Sequence, residues 1–314
     1  MAIFITGGAG FIGSHLCERL LKEGKEVIAV DDFNDFYDPE KKKKNIEDCA
    51  KNKKFKIYKA DIRDKEEIKK IFEKNKINVI VHLAARAGVR PSMENPLLYI
   101  DVNVNGTLAM LELAKKFNIK KFIFASSSSV YGSNDKIPFS EDDPINNPLS
   151  PYAITKIAGE QLCRIYSKLH SINMVCLRFF TVYGPRGRPD MAPYKFTNLI
   201  MQGKEIEVYG NGSSKRDYTF VSDIIDGIAT AVEKELKFEV INLGDSNPVE
   251  LKYLISLIEK NTGKKAKIKF MPEQKGDVPI TYADVSKAKR LLGYKPKVKI
   301  EEGVKRLVEW YKNG

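Results

Sequence analysis

Cysteine is scarce in this chain and never clustered. The four, Cys17, Cys49, Cys163 and Cys176, lie far apart with no Cys-x-x-Cys pair. That spacing argues against a disulfide framework and against a structural zinc site, so no metal is expected. Cys17, Cys163 and Cys176 fall within apolar periodic segments and read as small core residues. Long hydrophobic runs are missing too: no uncharged apolar stretch reaches the roughly 18 residues of a membrane helix. The segment 1–13 has neither the basic start nor the apolar length of a signal peptide. The expectation is a soluble, intracellular protein of the cytoplasm. Repeats, low-complexity tracts and long linkers are also absent. What is present is ordinary for a globular protein, 43% hydrophobic and 30% charged residues, which excludes wholesale disorder and fibrous architecture. A chain of 314 residues reads as one large domain or two interlocked ones.

Acidic residues are the minority charge. Lys and Arg number 53 against 41 Asp and Glu, a formal net charge of +12. The densest basic stretch, 41–59, includes four consecutive lysines. No nucleic-acid-binding module or interleaved aromatics accompany it, so a solvated surface is expected, not a polyanion site. A basic surface can nevertheless attract an anionic small molecule.

The first 180 residues alternate short apolar runs with helical periodicity. Strands are expected at 2–6, 26–31, 55–60, 78–82, 121–126 and 173–178, and helices at 11–22, 65–73, 96–117 and 152–169. This rhythm implies a parallel sheet covered on both faces, a doubly wound α/β fold. Continuous apolar runs such as Val79-Ile80-Val81 fit strands buried on both faces. After Arg178 the rhythm loosens, and helices at 193–201, 220–233 and 250–261 with strands at 238–243 and 266–271 suggest a smaller α/β C-terminal lobe. The expected division is 1–180 with a return segment near 218–243 for the first domain, and 181–217 with 244–314 for the second, with a cleft between.

Glycines stand between the first strand and the first helix: Gly7, Gly8, Gly10 and Gly13 satisfy both G-x-G-x-x-G and G-x-x-G-x-x-G. They allow a tight turn, close approach of backbone to a pyrophosphate, and helix-on-strand packing. The helix start supplies amide donors to phosphates. Asp31 closes the second strand, where a carboxylate accepts from ribose hydroxyls and repels a 2′-phosphate. No basic residue lies between Asp31 and Lys41, so NAD is preferred to NADP. Asp61 and Ile62 follow the third strand, where this topology can contact adenine. His82 reads as a structural imidazole.

Tyr152 and Lys156, four residues apart, share one helical face. A phenol is a poor base near its reference pKa of ~10, and a neighbouring ammonium favours the phenolate. The serine run Ser126 to Ser129 follows the fifth strand, where a hydroxyl can bind the oxygen whose proton the tyrosine takes.

Together with His82 to Ala85, Asn103-Val104-Asn105-Gly106-Thr107, Val130-Tyr131-Gly132, Arg216-Asp217-Tyr218 and Gly276-Asp277-Val278, these motifs make the chain resemble the nucleotide-sugar epimerase and dehydratase branch of the extended short-chain dehydrogenases/reductases. The resemblance implies a modified Rossmann fold, tightly held NAD, a UDP-sugar substrate and a homodimer paired through 96–117 and 152–169. It implies catalytic roles for Ser127, Tyr152 and Lys156. It implies cofactor contacts at Gly7, Gly10, Phe11, Ile12, Gly13, Asp31, Asp61, Ile62, Ala84, Tyr152 and Lys156. Substrate contacts are implied at Ser128, Ser129, Thr181, Arg188, Arg216 and Asp277.

Within that branch, the dehydratases carry an Asp-Glu pair where this chain has Ser128 and Ser129, and the UDP-glucuronate decarboxylases carry Glu at Ser129. Epimerisation remains. UDP-galactose 4-epimerases usually carry Asn at Thr181, whereas Thr181 with Gly187-Arg188-Pro189-Asp190-Met191-Ala192 is similar to UDP-glucuronate 4-epimerases. A C6 carboxylate would be met by hydroxyls of Ser128, Ser129 and Thr181, with the Arg188 cation placed for that carboxylate or for the diphosphate. Gln274 departs from a phosphate-binding Arg of many relatives. UDP-glucose 4-epimerisation stays open as the first alternative, and another nucleotide-sugar dehydratase or reductase as the second.

Overall fold

The computed structural model describes residues 1–273 and 278–313. Strands β1 (Ala2–Thr6), β2 (Glu26–Asp31), β3 (Phe55–Lys59), β4 (Val79–His82), β5 (Lys121–Ser127), β6 (Asn173–Phe179), β7 (Thr181–Tyr183), β8 (Glu205–Tyr209), β9 (Lys215–Phe220), β10 (Phe238–Leu243), β11 (Pro248–Glu250) and β12 (Lys267–Met271) alternate with helices. Seven of them form one sheet in the order β10-β6-β5-β4-β1-β2-β3. β1 pairs parallel with both β2 and β4, and the parallel pairing continues to β3 and β5. This is the expected Rossmann-like α/β fold. Strand order reverses at β1, so the crevice beyond its carboxyl end is where such sheets bind ligands.

The chain divides into two compact units. The first holds Met1–Gly132, Pro144–Arg178 and Ile225–Ile241; the second holds Ser133–Asp143, Phe179–Ile224 and 242–314. The stretch Ser133–Asp143, expected with the first domain, therefore counts with the second. Its Phe139 amide donates to the Tyr282 carbonyl at 2.7 Å, and Asn242 Nδ2 donates to the Phe139 carbonyl at 2.9 Å. The return segment is shorter than expected, since 218–224 also belong to the second unit.

In the first unit the sheet is buried on both faces. Phe4, Ile28, Ile80, Phe122 and Met174 form one cluster with helix residues Ile68, Phe72 and Met110. Helix Pro151–His170 starts where Ser150 accepts from the Ala153 amide at 3.1 Å and Pro151 takes a position that needs no N–H. The helix lies against β5 through Gly159: a Cβ there would meet the Phe124 ring at 2.3 Å. The expected helix over 96–117 is instead Pro96–Ile100, a π-helical segment Asp101–Asn105, and Gly106–Lys116. In that segment the Asn103 side chain pairs with both backbone groups of Arg86 and donates to Thr155 Oγ1 at 3.0 Å.

The second unit contains a three-stranded sheet β11-β9-β7 and a two-stranded one, β12-β8. Asp217 on β9 organises it. Its fully buried carboxylate accepts from the amides of Asp245, Ser246 and Ala283 at 2.7 to 3.0 Å and from the Thr219 hydroxyl at 3.2 Å.

Gly159→Ala is expected to destabilise the protein by about 1–3 kcal/mol by overpacking against Phe124, despite the better helix propensity of alanine. Calorimetric Tm would fall; an unchanged or higher Tm would show that helix and strand can separate freely.

Candidate active site

The glycine turn leaves β1 at the sheet's reversal point. Gly7 has φ +70, and a Cβ on it would press on the Ala84 amide at 3.0 Å. A Cβ on Gly13 would stand 2.1 Å from the Gly7 carbonyl oxygen. The turn is closed by Gly10 N–H to Gly7 O at 3.1 Å, and Ser14 N–H returns to Gly10 O at 2.9 Å. Gly10 caps helix Phe11–Lys22 with no side-chain hydrogen bond, so the first-turn amides of Phe11, Ile12 and Gly13 have no intrahelical acceptor. A side-chain-free cradle under unused amides fits the pyrophosphate of a dinucleotide.

Asp31 is buried beside this turn. It accepts from the amides of Ala9 and Phe33 at 3.2 and 2.9 Å. Lys42, itself buried, donates to it at 3.2 Å. The cation missing from the sequence between Asp31 and Lys41 is thus supplied from just past it, by helix Pro39–Asn45, a helix with no apolar period to announce it. Asp61 follows β3, with Arg63 on its carboxylate and its pKa below the usual range because of that guanidinium. Ile62 is buried against Gly106, where a Cβ would meet it at 2.6 Å. Ala84 donates its amide to Thr6 Oγ1 at 3.1 Å.

His82 is clamped below the turn. Thr6 Oγ1 lies 2.7 Å from Nδ1 and also accepts the Leu83 and Ala84 amides, so its one proton goes to Nδ1. Thr107 donates to the Asn103 carbonyl, leaving its oxygen to accept from Nε2 at 3.0 Å. The ring is therefore the neutral Nε2–H tautomer. Burial, aided by Lys156, pushes its pKa down to about 3.

The reactive group stands on helix Pro151–His170 and the end of β5. Lys156 is buried, donates to the Ala125 carbonyl at 2.7 Å, and sits 5.8 Å from the centre of the Tyr152 ring. Burial pushes the Lys156 pKa down to about 8, opposed by the Glu160 carboxylate. Ser127 Oγ donates to Ser129 Oγ and accepts from the Ser129 amide, both at 3.2 Å; Ser128 and Ser129 begin the 3₁₀ turn that follows. Tyr152 is half-buried, and its amide donates to the buried Ser92 hydroxyl at 3.1 Å. These groups can take a proton from a hydroxyl and hold the resulting oxygen.

In the second unit, Thr181 on β7 pairs with Tyr218 on β9, the strand that also carries Arg216. Arg188 makes a two-point pair with Asp190 at 3.0 and 2.6 Å. Asp277 and Gln274 lie outside the described residues. Lys42, Ser92, Glu160 and Arg178 join these groups although the sequence did not mark them as site residues. Only Glu160 left a signal, since it continues the four-residue spacing from Tyr152 and Lys156. Among the described residues no cluster of metal-binding side chains occurs, and no helix is long and apolar enough to cross a membrane.

Residues 4–307 match the family model for GDP-mannose 4,6 dehydratase. A UDP-glucuronate 4-epimerase of Thermodesulfobacterium geofontis is 46% identical over 309 residues, 98% of this chain and 95% of that protein. The crystal structure of a Bacillus cereus UDP-glucuronic acid 4-epimerase in complex with UDP-glucuronic acid and NAD superposes with a TM-score of 0.94 at 39% identity, covering 100% of this chain and 99% of that one. A Thermotoga maritima UDP-glucose 4-epimerase with UDP-glucose gives 0.92 at 34% identity, with 100% and 99% covered.

The His82 tautomer has a consequence for acid stability. Below its ordinary 6.5 the unfolded imidazole takes a proton that the folded one refuses until about 3. Stability is thus complete above 6.5 and declines as pH falls through that window. Denaturant midpoints measured across it should fall less steeply for His82→Gln; parallel curves would discount His82 as the group responsible.

Proposed function

The chain belongs to the GDP-mannose 4,6-dehydratase family of extended short-chain dehydrogenases/reductases, and on that premise we propose that it is an NAD-dependent 4-epimerase whose substrate is UDP-glucuronate and whose product is UDP-galacturonate. One observation carries the choice of reaction. At the end of β5 the chain presents hydroxyls, Ser127 to Ser129, and the carboxylate that reaches this run, Glu160, is buried and held by Arg178 and Ser126. Among the described residues no second carboxylate is shown on this run for elimination or decarboxylation, which supports an oxidation answered by reduction at the same carbon. The relatives named for UDP-glucuronate epimerisation support the sugar.

Bound NAD supplies a two-electron acceptor that returns what it takes, so the reaction has no net redox change. The glycine turn and the amides of Phe11, Ile12 and Gly13 would hold its pyrophosphate, Asp31 its adenosine ribose, and Asp61, Ile62 and Ala84 its adenine side. Tyr152 Oη, as phenolate, takes the proton from sugar O4 and later returns it. Ser127 Oγ holds O4. Lys156 stabilises the phenolate and binds the second ribose of the cofactor. Between the two half-reactions the 4-keto sugar turns about its diphosphate. Ser128, Ser129 and Thr181 are proposed for the C6 carboxylate, Arg188 for that carboxylate or the diphosphate, and Arg216 and Asp277 for the nucleotide end.

A homodimer is part of the proposal. Ile154, Ile165 and Leu169 are exposed on helix Pro151–His170, as are Leu97 and Ile100 on Pro96–Ile100. Spacings of eleven and four put Ile154, Ile165 and Leu169 on one helical face, an apolar stripe that a second copy would cover. None of the four cysteines is in a disulfide, the thiol state of a reducing compartment, and the cytoplasm is the proposed location.

An NMR time course with NAD present should convert UDP-glucuronate to UDP-galacturonate without NADH accumulating. Conversion of UDP-glucose with UDP-glucuronate inert would move the substrate to neutral sugars, and silence with both would end the assignment. Tyr152→Phe should abolish turnover while bound NAD persists; a near-normal rate would remove Tyr152 from the chemistry. Ile165→Glu with Leu169→Glu should reduce the mass by light scattering to one chain; an unchanged dimer would place the interface elsewhere.

A further inference from the structure

Glu160 is a buried carboxylate that the reaction above does not use. It is 2% exposed. Its Oε1 accepts from Ser126 Oγ at 2.5 Å and from Arg178 Nε at 2.9 Å, and its Oε2 accepts from Arg178 Nη2 at 2.9 Å. Three donors and no acceptor make it an ionised carboxylate. Arg178, on β6, is 3% exposed and stacks 4.8 Å over the Tyr131 ring. Burying such a pair is costly in itself and is poor evidence for a purely stabilising role.

Its position suggests what the pair is for. Tyr152, Lys156 and Glu160 follow one another at four-residue intervals along one helical face. Lys156 donates to the carbonyl of Ala125, and Glu160 receives the hydroxyl of Ser126. Two successive turns of the helix are thus fastened to two successive residues of β5, and the next residue is Ser127. The titratable and charged groups facing Lys156 are Tyr152, Glu160 and Cys163 on its own helix, His82 on β4 and, across Glu160, Arg178 on β6. His82 is neutral, and Cys163 is a buried core side chain. Glu160 is therefore the one group in this set whose ordinary charge favours the ammonium.

We propose that Glu160 is a positioning residue for the reaction: locked by Arg178 and Ser126, its carboxylate keeps the Lys156 ammonium charged beside Tyr152 and fixes the end of β5 that carries Ser127. The inference rests on the assignment of Tyr152 and Lys156 to proton transfer. Burial lowers the Lys156 pKa to about 8, with Glu160 the largest opposing influence. With that charge gone, Lys156 would face the buried Arg178 cation uncompensated, lose its proton sooner, and return the proton balance to a neutral phenol at Tyr152.

Two readouts test this in Glu160→Gln, on the full-length protein with its bound NAD. The first is the pH profile of kcat, whose alkaline limb should move toward acid by about one pH unit or more. The second needs no substrate: ultraviolet phenolate absorbance, taken as the difference from Tyr152→Phe in the same background, should appear at higher pH than in the wild type. Glu160→Asp keeps the charge and should restore both positions while kcat stays low. Ser126→Ala should lower kcat with neither position moved. Wild-type titration in Glu160→Gln would overturn the proposal, as would an Asp variant displaced as far as the Gln one. If Glu160→Gln fails to fold, the Asp variant decides alone: a displaced phenolate overturns the proposal and an undisplaced one with reduced kcat supports it. A wild type inert toward every sugar would defeat the substrate assignment while leaving the phenolate titration to judge Glu160.

Discussion

A lysine ammonium enclosed by protein is the constraint on which the chemistry proposed for the first unit depends. Lys156 gives up water for one carbonyl hydrogen bond, an aromatic face 5.1 Å away at Phe124, and the field of a carboxylate one turn on. Such burial works against the charge. It also removes the solvent that would screen the ammonium from Tyr152, so the same enclosure that weakens the cation makes it effective. The surrounding structure serves this compromise. Gly159 lets the helix come close to β5, and the neutral His82 beneath it adds no competing cation.

The two units differ in their sequences as well as in their folds. The first carries the glycine turn, Asp31, and the groups proposed for proton transfer, each placed at the carboxyl end of a parallel strand or in the first turns of a helix. The second is built from short strands tied together by the Asp217 carboxylate, and it bears cations, Arg188 and Arg216, on loop and strand. On the proposed reading, the first unit would take the cofactor and the reacting carbon, and Arg188 and Arg216 of the second would meet the anionic remainder of a nucleotide sugar.

Legibility in the sequence followed the source of each signal. Strands buried on both faces announce themselves as apolar runs, so β1, β2, β4 and β5 were readable, and the glycines and Tyr152/Lys156 are spaced by backbone geometry that sequence records directly. The π-helical segment was not readable, because the Asn103 side chain, tied to Arg86 and Thr155, is a tertiary arrangement laid over an uninterrupted helical period. Lys42 was hidden for a similar reason: its helix is a polar run, and only the fold brings its ammonium to Asp31. The affiliation of Ser133–Asp143 with the second unit depends on partners more than a hundred residues later, beyond the reach of local pattern.

The sheet edge has a bearing on how the chain is made. β6 is a run of buried apolar residues, Met174 to Leu177, and its outer neighbour is β10, with the Met174 amide bonded to the Lys237 carbonyl at 2.7 Å. On the ribosome, everything from β1 to β6 emerges before that neighbour exists. Throughout the synthesis of Thr181 to Glu233 the nascent sheet ends in an apolar strand with unmet backbone groups, the kind of edge that recruits other chains. Translation speed over this interval, and the chaperones present during it, therefore bear on the yield of native protein even though the finished molecule keeps that edge covered.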